Sequence, residues 1–296
     1  MSDFGPANPS LVKRSMVEAV QRAIQAIRRA RFAFESESKG FKDSGAEDFV
    51  TNADRDAQMR MVKVLAEDFP TFGLIGEEDN LFRMGTHPDD LWFAIDPLDG
   101  TSAFRRRQST GFGPMIALMR GETVIAAFVG DAMTQEIFGY KPGSDRVWRS
   151  APDIPHQRLE PWHLPTLAGQ YVLIRDNPWA YSLRGQALCT RSLHGVAPLF
   201  AGMETANGSI GLSFARLWKG EVGAHLLRPG KQTPWDLLPV LGISLRLGFR
   251  FLRVGRGLTP YTPRVAKETY RTDDELLVVH ERYLDELTAW YDANVP

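Results

Sequence analysis

The sequence predicts an α+β protein in which helices and sheets are stacked in layers. Helix-period segments and strand-like runs alternate from one end of the chain to the other, as layered packing requires. In addition, 43% of the 296 residues are hydrophobic, enough for a large core. The apolar residues fall at element-like spacings, and Gly, Pro and Asp punctuate them.

Taken in order, Leu11, Met16, Val20, Ile24, Ile27 and Phe32 recur every three to five positions with Lys, Arg and Gln between them, which predicts an amphipathic helix from Leu11 to about Phe34. A second helix is expected after Asn52, with Met61, Val62 and Leu65 inward and an end near Pro70. Strands follow at Phe72–Ile75, Leu91–Ile95, Gly113–Leu118, Thr123–Val129 and Glu136–Tyr140, and their spacing suggests a sheet built largely of meanders. A Pro-rich stretch runs from Ala151 to Pro165. Beyond it we expect a strand at Tyr171–Ile174, a helix near Ser182–Arg191, a helix from about Ser209 to Trp218 and a strand at Ala224–Leu227. A helix at Pro234–Leu247, a strand at Glu275–His280 and a terminal helix complete the chain. The Pro-rich stretch would separate an N-terminal lobe of about 1–150 from a C-terminal lobe of about 151–296. With no linker, repeat or low-complexity run between them, the two read as a single domain.

Charge excludes several functions. Thirty-five Lys and Arg against 36 Asp and Glu leave a net charge of −1, so no overall field draws in nucleic acid or an anionic membrane, and any charge-based function has to be local. The single cysteine, Cys189, has no internal disulfide partner and reads as a buried reduced thiol. The segment Met1 to Pro6 lacks a basic region followed by an apolar run, and no stretch approaches the ~20 apolar residues of a membrane helix, so a cytoplasmic protein is expected.

Three segments carry acids where strands end or helices begin: Gly76-Glu77-Glu78-Asp79, Asp96-Pro97-Leu98-Asp99-Gly100-Thr101 and Thr233-Pro234-Trp235-Asp236. Each alone has a plain structural reading, as a solvated loop, a turn or a helix-dipole partner. Together they form a set of oxygen donors of the kind hard divalent cations prefer. Two such ions can clamp the attacking and leaving oxygens of a phosphoryl transfer. Gly100 allows close approach, and a helix starting there would turn free N–H groups toward a phosphate.

These motifs, with Asp48-Phe49-Val50-Thr51-Asn52-Ala53-Asp54 upstream, resemble the inositol monophosphatase family over about residues 10–290. The resemblance implies a layered α-β-α-β-α sandwich and a magnesium-dependent, lithium-sensitive phosphatase, commonly a homodimer, with two or three Mg2+ ions. By position, Glu77, Asp96 and the Leu98 carbonyl would hold one ion, and Asp96, Asp99 and Asp236 a second. Thr101 and Glu77 would activate the attacking water, Asp54 would orient Thr101, and the backbone of Gly100 and Thr101 would take the phosphate.

The departures bear on substrate. Inositol-specific members carry a Glu seven positions before the last metal-binding Asp, where this chain has Pro229, and Ser102-Ala103-Phe104 replaces the usual Thr-Asn-Phe. Arg105, followed by Arg106 and Arg107, and Arg228 and Lys231 before Trp235 are candidates to hold a second anionic group, against the simpler reading of a solvated basic loop. The expected activity is hydrolysis of a small phosphorylated metabolite such as an inositol, sugar, polyol or histidinol phosphate. The alternatives are a 3'(2'),5'-bisphosphate nucleotidase and a non-catalytic metal-binding regulatory protein; nucleic acid and membrane partners are not expected.

Overall fold

The computed structural model describes residues 8–41, 45, 47–189, 198–206 and 208–295. In chain order it contains α1 (Pro9–Ala30), β1 (Ser36–Phe41), β2 (Glu47–Thr51), α2 (Asn52–Asp68), β3 (Gly73–Gly76), β4 (Phe82–Arg83), β5 (Leu91–Asp99), α3 (Thr101–Arg105), β6 (Gly113–Arg120), β7 (Thr123–Gly130), β8 (Ile137–Tyr140), β9 (Trp148–Ala151) and β10 (Ile154–Arg158). There follow β11 (Tyr171–Ile174), α4 (Leu183–Cys189), β12 (Gly202–Thr205), α5 (Ile210–Lys219), β13 (Ala224–Leu227), β14 (Gly230–Gln232), α6 (Pro234–Arg246), β15 (Phe249–Val254), β16 (Leu258–Tyr261), β17 (Tyr270–Thr272), β18 (Leu276–His280) and α7 (Leu284–Asn294).

Two sheets organise these elements. The first has eight strands in the order β10-β9-β8-β7-β6-β5-β3-β4, and β5 through β10 form the expected antiparallel meander. The second has six strands, β12-β11-β13-β18-β15-β16, with β11 parallel to both its neighbours. Side chains alternate across a strand, so each sheet has two apolar faces to cover. Leu91, Phe93 and Ile95 of β5 pack with α1 and α2. Trp92 and Ala94 point the other way, into a middle layer where α5 and α6 meet Leu173, Phe251 and Val278 of the second sheet. The far face of that sheet is covered by α4 and α7. The result is the five-layer α-β-α-β-α stack.

Most boundaries fall within a few residues of the sequence expectation, and the departures have local causes. α1 stops at Ala30 rather than near Phe34. After Ile27 the buried stripe is broken by Arg28, Arg29 and Arg31, leaving no apolar face to hold a further turn. The Pro-rich stretch contains β10, which lies at the edge of the first sheet, where a missing proline N–H costs no ladder bond. The helix expected at Ser182–Arg191 is seen over Leu183–Cys189, and its last two residues, Thr190 and Arg191, lie outside the described residues. Cys189 is buried, and burial pushes its thiol up to about 12, as suits an inert core residue. No helix among the described residues is long and apolar enough to cross a membrane.

Candidate metal centre

Strand β5 does not end at Ile95, as the sequence predicted; it runs on through Asp99 with a bulge. Asp96 pairs with Met115 and Asp99 with Gly113, so three steps on β5 match two on β6. One extra residue reverses the alternation. Ile95 faces α1 and α2, and after the bulge so does Leu98, which turns Asp96 and Asp99 together toward the middle layer. The Leu98 N–H donates to Asp96 Oδ1 at 2.9 Å, and this fixes the turn at Pro97.

Two other acids are placed by helix caps. Thr51 caps α2 and Asp54 is its third residue; Asp54 Oδ2 accepts from the Thr51 N–H at 2.8 Å and from the Thr51 hydroxyl. Thr233 caps α6 in the same way, donating from its hydroxyl to Asp236 Oδ2 at 2.7 Å. Both are capping-box positions, where the positive end of the helix favours a carboxylate. α6 points its start at β5, and carboxylate oxygens of Asp96, Asp99 and Asp236 lie within 4.8 Å of one another. Beside them the Thr101 hydroxyl donates to Asp54 Oδ1 at 3.0 Å and also faces the Leu98 carbonyl at 3.1 Å.

Glu77 follows β3, one step beyond the strand end, with its N–H on the Ile95 carbonyl at 3.2 Å. It stands outside the 4.8 Å set but near enough for its charge to act on Asp96. Burial, with Asp236, Glu78 and Asp54 adding repulsion, pushes Glu77 up to about 8 against the opposing pull of Lys39. Burial likewise raises Asp96 well above the usual carboxylate range, reinforced by Glu77, Asp99 and Asp236. It raises Asp99 too, with Asp236, while Arg175, Ser209 and the Gly211 N–H oppose the shift. So many acids packed together resist ionising without a cation.

Several contributors carry no motif. Lys39 of β1 reaches Glu78 at 2.7 Å and Glu77 at 3.4 Å. Burial works against its charge, but Glu77, Glu78 and Asp54 outweigh it and hold the ammonium above its usual pKa. Ser209 Oγ donates to Asp99 Oδ2 at 2.5 Å and the Gly211 N–H to the same oxygen at 2.8 Å. Arg175, just past β11, binds the Gly208 carbonyl and lies close enough to pull on Asp99. Gly100 caps α3 at φ 92°, and a Cβ there would stand 2.2 Å from the Gly111 carbonyl oxygen. Only glycine fits.

The predicted anion-holding residues are dispersed. The Arg105 guanidinium lies over the Phe49 ring at 3.1 Å, Arg228 pairs with Asp176 at 3.5 Å, and Lys231 lies exposed on β14 opposite Arg271 of β17. Arg175 is the cation that faces Asp99.

Comparison with known proteins agrees with this geometry. A profile described as "Inositol monophosphatase family" matches residues 9–237. The inositol-1-monophosphatase of Caulobacter vibrioides is 35% identical over 129 residues, 43% of this chain and 48% of that protein. The Nus factor SuhB of Vibrio cholerae is 35% identical over 128 residues, 40% of this chain and 46% of that protein. The aligned part thus spans about half the length of either relative. Among solved structures, the extragenic suppressor protein suhB of Bartonella henselae superimposes with a TM-score of 0.71, covering 96% of this chain and 99% of that one at 18% identity, a likeness of fold.

Proposed function

Since this chain belongs to the inositol monophosphatase family, we propose that it is a magnesium-dependent phosphomonoesterase that hydrolyses a small alcohol phosphate by direct attack of water. The observation that carries this reading is the convergence of Asp96, Asp99 and Asp236, from a bulged strand and a helix start, within 4.8 Å. An all-oxygen donor set suits Mg2+ and offers nothing to a softer metal. Glu77, Asp96 and the Leu98 carbonyl would hold one ion, and Asp96, Asp99 and Asp236 another. When bound, such ions lower the pKa of water and neutralise charge on the phosphoryl group.

The chain's own residues do the rest. With its hydrogen on Asp54 Oδ1, the Thr101 hydroxyl oxygen keeps lone pairs with which to hold a water. Glu77 would take the proton that water gives up. The Gly100 and Thr101 backbone N–H groups receive the phosphate oxygens. Phosphoryl transfer asks for little covalent work, so positioning and charge neutralisation suffice. Lithium sensitivity, a homodimer and a cytoplasmic location belong to the same reading.

Substrate choice leans away from inositol, because Pro229 stands where inositol-binding relatives carry Glu. Arg175 beside Asp99 favours a substrate with a second anionic group, such as a 3'(2'),5'-bisphosphate nucleotide. A panel of phosphate esters assayed with Mg2+, with and without Li+, tests these choices. We expect Mg2+-dependent release, and Asp99→Asn to lower turnover by roughly 100-fold or more, beyond the loss typical of a ligand's supporting partner, while the protein stays folded. Wild-type turnover in that variant would refute the metal assignment. The relative named Nus factor SuhB supports a second reading, a regulatory protein; Mg2+ binding with no release from any ester would favour it.

A further inference from the structure

The near-zero net charge conceals a segregated surface. The last turn of α1 carries Arg28 and Arg29, with Arg31 directly after it, and α3 ends on Arg105 with Arg106 and Arg107 directly after it. The fold joins these two segments: Arg31 Nη2 donates to the Gln108 carbonyl at 3.1 Å. The two arginine segments thereby adjoin, with Arg28, Arg29, Arg106 and Arg107 exposed and Arg31 and Arg105 half-buried where the segments meet. Elsewhere arginines are commonly paired with acids, as in Arg55 with Glu37, Arg149 with Glu136 and Arg216 with Glu204. Among the described residues none of these six lies within ion-pair distance of a carboxylate. The nearby Asp131 instead accepts from the backbone N–H groups of Met133 and Thr134, while Arg28 binds the carbonyls of Ala132 and Met133.

Within the patch Phe32 is 65% exposed, with the Arg31 guanidinium 4.9 Å from its ring centre. An uncompensated arginine cluster around an exposed ring matches the needs of a single strand, which offers regularly spaced phosphates and stackable bases. Arginine matches phosphate with two parallel hydrogen bonds. The patch is separate from the metal centre: α3 turns its start, Gly100 and Thr101, toward the acids and its far end, Arg105, toward the patch. We infer that the arginine face formed by residues 28–31 and 105–107, with Phe32, is a docking surface for single-stranded nucleic acid.

The test uses the full chain with Mg2+ and a labelled oligouridylate of about 15 nucleotides, followed by fluorescence anisotropy from about 50 to about 250 mM salt. Arg29→Gln, Arg106→Gln and Arg107→Asn are combined in one variant, since these three side chains are exposed. Arg107 has φ 55°, which asparagine tolerates. We expect the wild type to bind with a strong salt dependence. The triple variant should bind at least ~10-fold more weakly at low salt, with a log–log slope smaller by about 2, from three contacts at roughly 0.7 each. Its melting temperature should be unchanged. Phe32→Ser should weaken binding with no change of slope, as loss of stacking does. Absence of binding at low salt, equal binding by the triple variant, equal affinity for duplex DNA, or equally good competition by polyglutamate would each overturn the proposal, the last in favour of an acidic protein partner.

Discussion

Ser209 Oγ and the Gly211 N–H meet on one oxygen of Asp99, so a carboxylate from the first sheet is held by the start of α5, 110 residues and more away in sequence. Arg175 supports the same segment through the Gly208 carbonyl. Behind it, on β13, stands a less satisfied residue: His225 is fully buried against Phe214, rings 5.0 Å apart, and neither ring nitrogen has a hydrogen-bond partner. Burial, helped by Arg175 and Arg216, lowers its pKa to about 3. A histidine whose folded pKa is depressed contributes nothing adverse above its ordinary value near 6.5, and costs stability as pH falls below it. His225→Leu should therefore stabilise the protein by about 1–2 kcal/mol at neutral pH, the cost of unpaired buried polar atoms. The gain should widen toward pH 5. Urea melts at pH 7.5 and pH 5 check this, and a destabilised variant at both would show that the ring does have polar partners.

At the scale of elements, two helix starts share one device. α2 and α6 each begin with a threonine cap and an acid at the third position, Thr51 with Asp54 and Thr233 with Asp236. The bonds that start the helix also aim the carboxylate. Thr233→Ala should cost about 1 kcal/mol, the usual value of a cap. It should also weaken Mg2+ binding measured by calorimetry, because Asp236 loses the hydroxyl that orients it; the metal effect is of the order of 10-fold. Thr233→Ser keeps the hydroxyl and should restore both quantities. Equal Mg2+ affinity in Ala and Ser variants would mean that the cap serves the helix alone.

Across the whole molecule, the acid cluster links metal, pH and stability. Glu77 and Glu78 are raised to about 8 and about 7, chiefly by burial, and Asp96 and Asp99 move in the same direction. A carboxylate whose folded pKa exceeds its unfolded value binds its proton more tightly in the folded state, so stability falls as pH rises from about 4.5 through about 8. In EDTA the protein should melt lower at pH 8 than at pH 5.5. On the proposed assignment Mg2+ would compete with those protons, so the melting temperature it adds should be larger at pH 8. An equal increment at both values would mean that these acids do not receive the ion. The middle-layer core draws on Trp92 and Phe138 from the first half and Phe214, Trp218 and Phe251 from the second. One cooperative transition, rather than two, is the expected shape of each melt.

Much of this was legible in the chain. The α1, α2, α5 and α6 stripes are set by the helical spacing of apolar residues, and the buried runs of β5 to β7 by nearly unbroken apolar stretches, so both are local patterns. The strands β1, β2, β4, β9, β10, β12, β14, β16 and β17 were missed, because short, exposed or edge strands bury too little to leave a pattern, while β15 shows an alternation of Phe249 and Phe251 that the sequence reading passed over. The site divides the same way. Glu77, Asp96, Asp99, Thr101 and Asp236 sit in short motifs legible in the sequence alone, which singled out the three acids, Asp96, Asp99 and Asp236, that the fold gathers within 4.8 Å. That Asp96 and Asp99 share a face was decided by pairing with β6, which forces the bulge. The roles of Lys39, Arg175, Ser209 and Gly211, and the union of two arginine segments into one surface, were decided only by tertiary structure. Such contacts join residues far apart in sequence, and no local pattern can encode a distance that packing alone sets.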